Sequence, residues 1–165
     1  MTAARTMRIG AWIMLALLAG CTEQEPRRLD SLVEREGRYL DPGSFTPYSG
    51  PIVAMYRGTT DVVEMRATLE DGRLHGPYER YYRSGATFGT GAYREGIWDG
   101  PFESFFEDGA PWMRGSYVDG VLHGPYVVYA EDGSVEEEGV YQTGEPCGTW
   151  VLSGDTVVHP ACPPR

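Results

Sequence analysis

The stretch Gly91-Ala92-Tyr93-Arg94-Glu95-Gly96-Ile97-Trp98-Asp99-Gly100-Pro101-Phe102 returns 24 residues later as Gly115-Ser116-Tyr117-Val118-Asp119-Gly120-Val121-Leu122-His123-Gly124-Pro125-Tyr126. Every glycine, the tyrosine and the proline-aromatic pair keep step. Worked outward, the period persists: Gly76, Gly100, Gly124 and Gly148 stand 24 apart, as do Gly85, Gly109 and Gly133, and Gly72, Gly96, Gly120 and Gly144. Gly139 and Tyr141 extend the first glycine and tyrosine columns. An earlier copy opens at Gly50-Pro51 and is two residues longer, and a truncated last copy opens at Gly148-Thr149-Trp150. Self-similarity at a fixed short period marks an array in which each unit packs on its neighbours.

Each unit reads as a β-hairpin. Ser84-Gly85, Asp108-Gly109 and Asp132-Gly133 are expected as two-residue turns needing positive φ. That register pairs Phe106 with Pro111, Phe105 with Trp112, Phe102 with Gly115, Tyr78 with Gly91 and Tyr126 with Gly139. A ring opposite a bare glycine can lie across the neighbouring strand. A second glycine-bearing loop, 94–99 or 118–123, reverses the chain into the next hairpin. The expected fold is all-β, an elongated single-layer antiparallel meander of roughly eight to ten strands. Alternation sets Tyr78 and Tyr82 on one face and Tyr81 and Phe88 on the other.

The two quoted stretches resemble MORN repeats, and more closely the bacterial MORN-2 variant of the YwqK-family antitoxins of toxin–antitoxin systems. The resemblance covers residues 48–150. It implies a non-enzymatic interaction scaffold, because enzymes that carry MORN arrays add a separate catalytic domain, for which this chain has no room. It also implies a narrower alternative, an antitoxin or immunity protein that neutralises a toxin.

Upstream of the array, Arg5 and Arg8 precede an apolar stretch over residues 9–18, too short for a membrane helix and the right length for a secretory signal. Leu18-Ala19-Gly20-Cys21 then resembles a bacterial lipobox, so Cys21 is the expected lipidation site and two or three acyl chains the expected membrane anchor. Thr22 stands where an Asp would signal inner-membrane retention, which favours the outer membrane, facing the periplasm. The domain reading is a signal peptide over 1–20, a lipidated cysteine and flexible spacer over 21–44, the repeat array over 45–150, and a C-terminal hairpin strand and tail over 151–165. A short helical turn after Asp30 is the only structure expected in the spacer.

Composition excludes much. The 165 residues include neither Lys nor Asn, which removes P-loop, kinase and Schiff-base chemistry and any N-glycosylation acceptor. Net charge is −10, and beyond Arg5 and Arg8 only 12 arginines face 24 carboxylates, so nucleic acid and anionic headgroups are poor partners and a basic protein is a better one. Residues 101–150 hold ten carboxylates and one arginine, Arg114. Within them, Glu136, Glu137 and Glu138 form the candidate partner-binding patch. Alternation puts Glu136 and Glu138 on one face and Glu137 on the other. The same run also reads as solubility and edge protection.

His75 and His123 share a column with Asp99 and Cys147, but successive repeats lie about 10 Å apart, too far for one metal ion. No catalytic constellation, metal site, cofactor or small-molecule substrate is implied. Cys147 and Cys162 remain as two thiols in an oxidising compartment and are the expected disulfide. A hairpin about Gly154-Asp155 would match Leu152 with Val157, Trp150 with His159, and Cys147 with Cys162.

Overall fold

The structure, a computed structural model, describes residues 24–164. Among these no α-helix occurs, and no helix is long and apolar enough to cross a membrane. The chain is all-β. Its strands are β1 (Arg27–Arg28), β2 (Val33–Arg35), β3 (Arg38–Leu40), β4 (Gly50–Met55), β5 (Val63–Glu70), β6 (Arg73–Tyr81), β7 (Thr87–Arg94) and β8 (Ile97–Trp98). There follow β9 (Gly100–Phe105), β10 (Pro111–Val118), β11 (Val121–Leu122), β12 (Gly124–Tyr129), β13 (Val135–Gln142), β14 (Glu145–Leu152) and β15 (Asp155–Val158). Thirteen form one open sheet in the order β1-β4-β5-β6-β7-β9-β10-β12-β13-β14-β15, with β8 on β7 and β11 on β10. From β4 onward it is the expected antiparallel meander. Only β1, parallel to β4, breaks the pattern.

The glycine columns have different jobs. Gly76, Gly100, Gly124 and Gly148 all have positive φ, from 72° to 110°, and sit where the ladder changes register, as between Arg94↔Ile97 and Thr90↔Glu103. Only glycine takes that conformation freely. Gly91, Gly115 and Gly139 are ordinary strand residues kept bare by contact. Across the sheet, Tyr78, Gly91, Phe102, Gly115, Tyr126 and Gly139 face one another strand by strand as expected. The covering ring is not always the one opposite: a Cβ on Gly91 would strike Trp98, and one on Gly139 would strike Trp150. Gly115 lies beneath Phe102 and Tyr126.

The two loop kinds are exchanged relative to expectation. Both residues have left-handed φ at Asp71-Gly72, Glu95-Gly96, Asp119-Gly120, Thr143-Gly144 and Ser153-Gly154, and these are the two-residue turns. At Asp108-Gly109 and Asp132-Gly133 only the glycine does. There the Gly109 N–H donates to Phe106 O at 2.9 Å and the Phe106 N–H to Ala110 O at 2.8 Å, which leaves a three-residue loop. The Asp108 carboxylate accepts the Ala110 N–H at 2.9 Å and so favours a type I turn closed by a bulge glycine. The register slips accordingly: Phe105 meets Pro111, and Trp112 is bulged out of the ladder. The same slip bulges Glu64, Phe88 and Glu136, one residue per repeat.

The expected flexible spacer is folded over its described part. Arg27–Arg28 extends the sheet edge and Leu29–Ser31 forms a 3-10 turn that contains Asp30 rather than following it. β2 and β3 then make a separate hairpin. Leu29, Leu32 and Tyr39 pack against Ile52, Ala67 and Leu69, so three apolar residues among charges suffice to dock the segment. The Arg27 guanidinium reaches the Asp41 carboxylate at 2.6 Å. At the other end, the final hairpin turns at Ser153-Gly154, not Gly154-Asp155, and matches Leu152 with Asp155 and Trp150 with Val157. It begins within the last repeat, so the expected boundary at 150 falls inside β14.

Candidate functional site

One face of the sheet carries a nearly continuous series of rings. Tyr78, Tyr93 and Trp98 lie with centroids 4.2–5.4 Å apart, Trp98 reaches Tyr117 at 5.9 Å, and Tyr117 reaches Phe102 at 5.0 Å. Tyr126, Tyr141 and Trp150 continue it. Burial of these phenols disfavours their ionised form: Tyr93 is pushed up to about 12, and Tyr78, Tyr126 and Tyr141 rise as well. For Tyr126 and Tyr141 the Glu137 carboxylate adds to the rise, which places its field on the aromatic face.

The bulge column supplies a second bank of rings. Phe88 contacts Tyr82 at 5.2 Å and Trp112 at 6.1 Å, and Trp112 also meets Phe106 at 6.1 Å. Phe88 and Tyr82 were expected on opposite faces. A bulge adds one residue, so strict alternation fails beyond it. Between the banks runs a row of residues in register, Arg80, Gly89, Ser104, Met113, Val128 and Glu137. Small side chains at Gly89 and Ser104 leave a groove of about 330 Å³ whose walls include Phe88, Trp98, Trp112 and Tyr117. Its volume lies at the lower end for ligand sites, roughly 300–1,000 Å³. At its near end Arg80 is held by Glu64 at 3.3 Å and stacks over the Phe88 ring at 5.3 Å.

Of the candidate patch, Glu136 and Glu138 are exposed and Glu137 is half-buried on β13. The bulge at Glu136 corrects the expected alternation. Glu137 pairs with Val128 on the grooved face, while Glu138 pairs with Val127, next to Arg114 in register on the other. That second face holds a shallower hollow of about 530 Å³ lined by Glu103, Arg114, Val127 and Glu138. The guanidinium of Arg114 lies over Tyr129 at 5.5 Å.

The remaining candidates serve the array. Cys147 and Cys162 are joined, with S–S 2.03 Å, and Cys147 is buried beside Trp150, whose indole N–H donates to the Cys147 carbonyl at 3.1 Å. His75 pairs with Glu70 at 3.1 Å. Asp99 and Asp119 bracket Arg94 at 2.6 and 2.7 Å, which ties one repeat's turn to the next, and Arg94 holds Asp99 below the usual carboxylate range. Among the described residues no group of three or more His, Cys, Asp or Glu could hold a metal ion. Cys21 lies outside the described residues, as does the expected signal peptide.

The sequence reading missed the groove because it tracked the glycine columns and not the bulged one. The signal was present: Glu64, Phe88, Trp112 and Glu136 are also spaced by 24. Fold and site together define an open single-sheet β-repeat protein with one grooved aromatic face. A scan against known protein families finds no match for the chain, and a search of curated proteins finds none either.

Proposed function

We propose that the chain is a non-enzymatic scaffold, lipid-anchored through Cys21 at the bacterial envelope, whose repeat sheet binds another protein. The reading of the array as MORN-2 repeats belongs to this proposal. The observation that carries it is the half-exposed ring surface of the central repeats beside the carboxylates of β13. An apolar patch rimmed by charge is the usual form of a protein-docking surface. The excess of carboxylates selects a basic partner and speeds its approach at low salt. The same acidity favours a second reading, an antitoxin or immunity protein that neutralises a basic toxin.

The test is photocrosslinking in the native host from a photoreactive residue at Met113, which lines the groove on the aromatic face. A covalent adduct with a basic protein is expected, and reversal of Glu136, Glu137 and Glu138 to Arg should remove it. No protein adduct, or an adduct indifferent to that reversal, overturns the docking role. Cys21→Ser should abolish labelling by a palmitate analogue; a variant still labelled and membrane-bound overturns the anchor.

A further inference from the structure

The bulge column carries Glu64, Phe88, Trp112 and Glu136 in successive repeats. On the intervening strands, Arg80 lies between Glu64 and Phe88, and Val128 lies between Trp112 and Glu136. The two places are built alike, a carboxylate on one side and a ring on the other. In the first, the chain's own arginine is seated, with Arg80 bonded to Glu64 at 3.3 Å and its guanidinium over Phe88 at 5.3 Å. In the second the middle residue is a short apolar one, and no guanidinium of the described residues stands between ring and carboxylate. Glu137, directly opposite Val128, adds a second negative charge there.

We infer that the row just beyond the groove, past Met113, is an arginine-binding site, in which Trp112, Glu136 and Glu137 take up an arginine side chain from an extended segment of the basic partner. Planar guanidinium stacks on indole and forks onto carboxylate at once, a pairing that lysine's compact ammonium reproduces poorly. The rest of the segment runs over Met113, Ser104 and Gly89 between the two banks of rings. From Val128 to Gly89 the row crosses three strand spacings, about 14 Å at ~4.8 Å each, which an extended peptide of about four residues spans. The chain's own terminal segments already cover this face at its ends, where Leu29, Leu32 and Tyr39 pack on the first strands and His159 packs on Trp150. Charge decides the direction, since Arg80 guards the near end and the carboxylates the far one. The inference rests on the protein-binding reading above and names the feature of the partner that is recognised.

The experiment pans the folded domain against a random twelve-residue peptide library displayed on phage, then measures the selected peptide by fluorescence anisotropy. Selected sequences should share an arginine, and replacing it with lysine should weaken binding about tenfold. Val128→Arg should self-occupy the site and abolish binding, while Val118→Arg, at an exposed position outside the groove, stays within twofold. Glu136→Gln should weaken binding about tenfold, and Ser104→Phe, which fills the groove floor, at least as much. Unfolding midpoints within a few degrees of the parent exclude misfolding as the cause. Selection without arginine, or peptides bound equally by the Val128→Arg protein, overturns the site. If the Met113 adduct survives Val128→Arg, the scaffold reading stands and this site falls. If peptides bind as described and no protein adduct forms in the host, the site stands and the envelope partner falls.

Discussion

Adding a single methyl at Gly139 tests the ring-over-glycine packing of the array. Gly139 has no left-handed φ, so backbone conformation gives no objection to alanine, and Gly→Ala within a strand is ordinarily stabilising by roughly 0.5–1 kcal/mol. Contact reverses the sign. A Cβ at Gly139 would lie closer than 3.0 Å to three Trp150 ring atoms, where real Cβ atoms essentially never come. Trp150 is only 2% exposed, is tied to the Cys147 carbonyl at 3.1 Å and lies edge-on to Tyr141 at 4.8 Å, so it has little room to withdraw. A buried indole removes about 150–250 Å² from water, which at about 25 cal/mol per Å² puts roughly 4–6 kcal/mol at stake. Forcing a methyl into such packing costs 1–3 kcal/mol, and the top of that range is expected here, about 3 kcal/mol. Urea unfolding of parent and variant reads the loss directly. A double-mutant cycle isolates the contact: in a Trp150→Ala background, itself about 3–5 kcal/mol less stable, Gly139→Ala should be neutral or stabilising. An equal loss in both backgrounds, or a gain in the parent, refutes the packing argument.

Three further outcomes follow from the ends and rings of the sheet. Reduction of the Cys147–Cys162 bond, which closes a segment of sequence separation 15, should destabilise the domain by about 3 kcal/mol and speed amide exchange in β15 first; intact mass unchanged by reductant contradicts the bond. Tyr93, pushed up to about 12 by burial, keeps its proton in the fold longer than in the unfolded chain, where it titrates near 10. Its contribution is therefore complete below pH 10 and lost as pH rises towards 12, and tyrosinate absorbance should show a late-titrating group of phenols, Tyr93 among them, ionising together with unfolding. Asp41, held down to about 2 by the Arg27 guanidinium and by the Gly43 and Ser44 N–H groups, acts in the opposite sense. Its contribution is complete above 3.8 and lost as pH falls towards 2, so pepsin should cut the 27–48 segment first, and earlier still in Arg27→Ala.

The hairpin array was legible because its determinants are steric and periodic. A glycine every 24 residues beside a proline-aromatic pair has few explanations other than a repeated strand and turn. The loop types were not legible from the dipeptides, since Asp108-Gly109 and Asp119-Gly120 spell the same pair. Their difference lies in φ, which is positive at Asp119 and not at Asp108, where the side chain accepts the Ala110 N–H instead. The cysteines meet by two compensating departures. The turn falls one residue earlier than expected, which moves every partner by two, and the positive φ of Gly148, whose N–H reaches Pro160 O at 2.8 Å, moves them back. The segment around Leu29 and Leu32 was read as spacer because charge dominates it, although docking needs only a few apolar residues over an exposed sheet end. Most of the arginine-site geometry escaped because one bulged residue per repeat inverts the facing of everything beyond it.

That bulge also explains where this array is free to vary. Tyr78, Phe102, Tyr126 and Trp150 keep one chemical type because each ring belongs to the row that covers the bare glycines. The bulged position has no partner across the ladder, so neither strand pairing nor glycine cover constrains it. Its occupants range from Glu64 through Phe88 and Trp112 to Glu136 within one chain. The residue between two bulges varies as freely, from Arg80 to Ser104 to Val128. A sheet that repeats its scaffold and changes only these two columns can place ring, carboxylate and cation side by side without disturbing a single backbone hydrogen bond. The arginine seated within the first such place and the short valine in the last are therefore two settings of one device, the first filled by the chain itself and the last left for an arginine from outside.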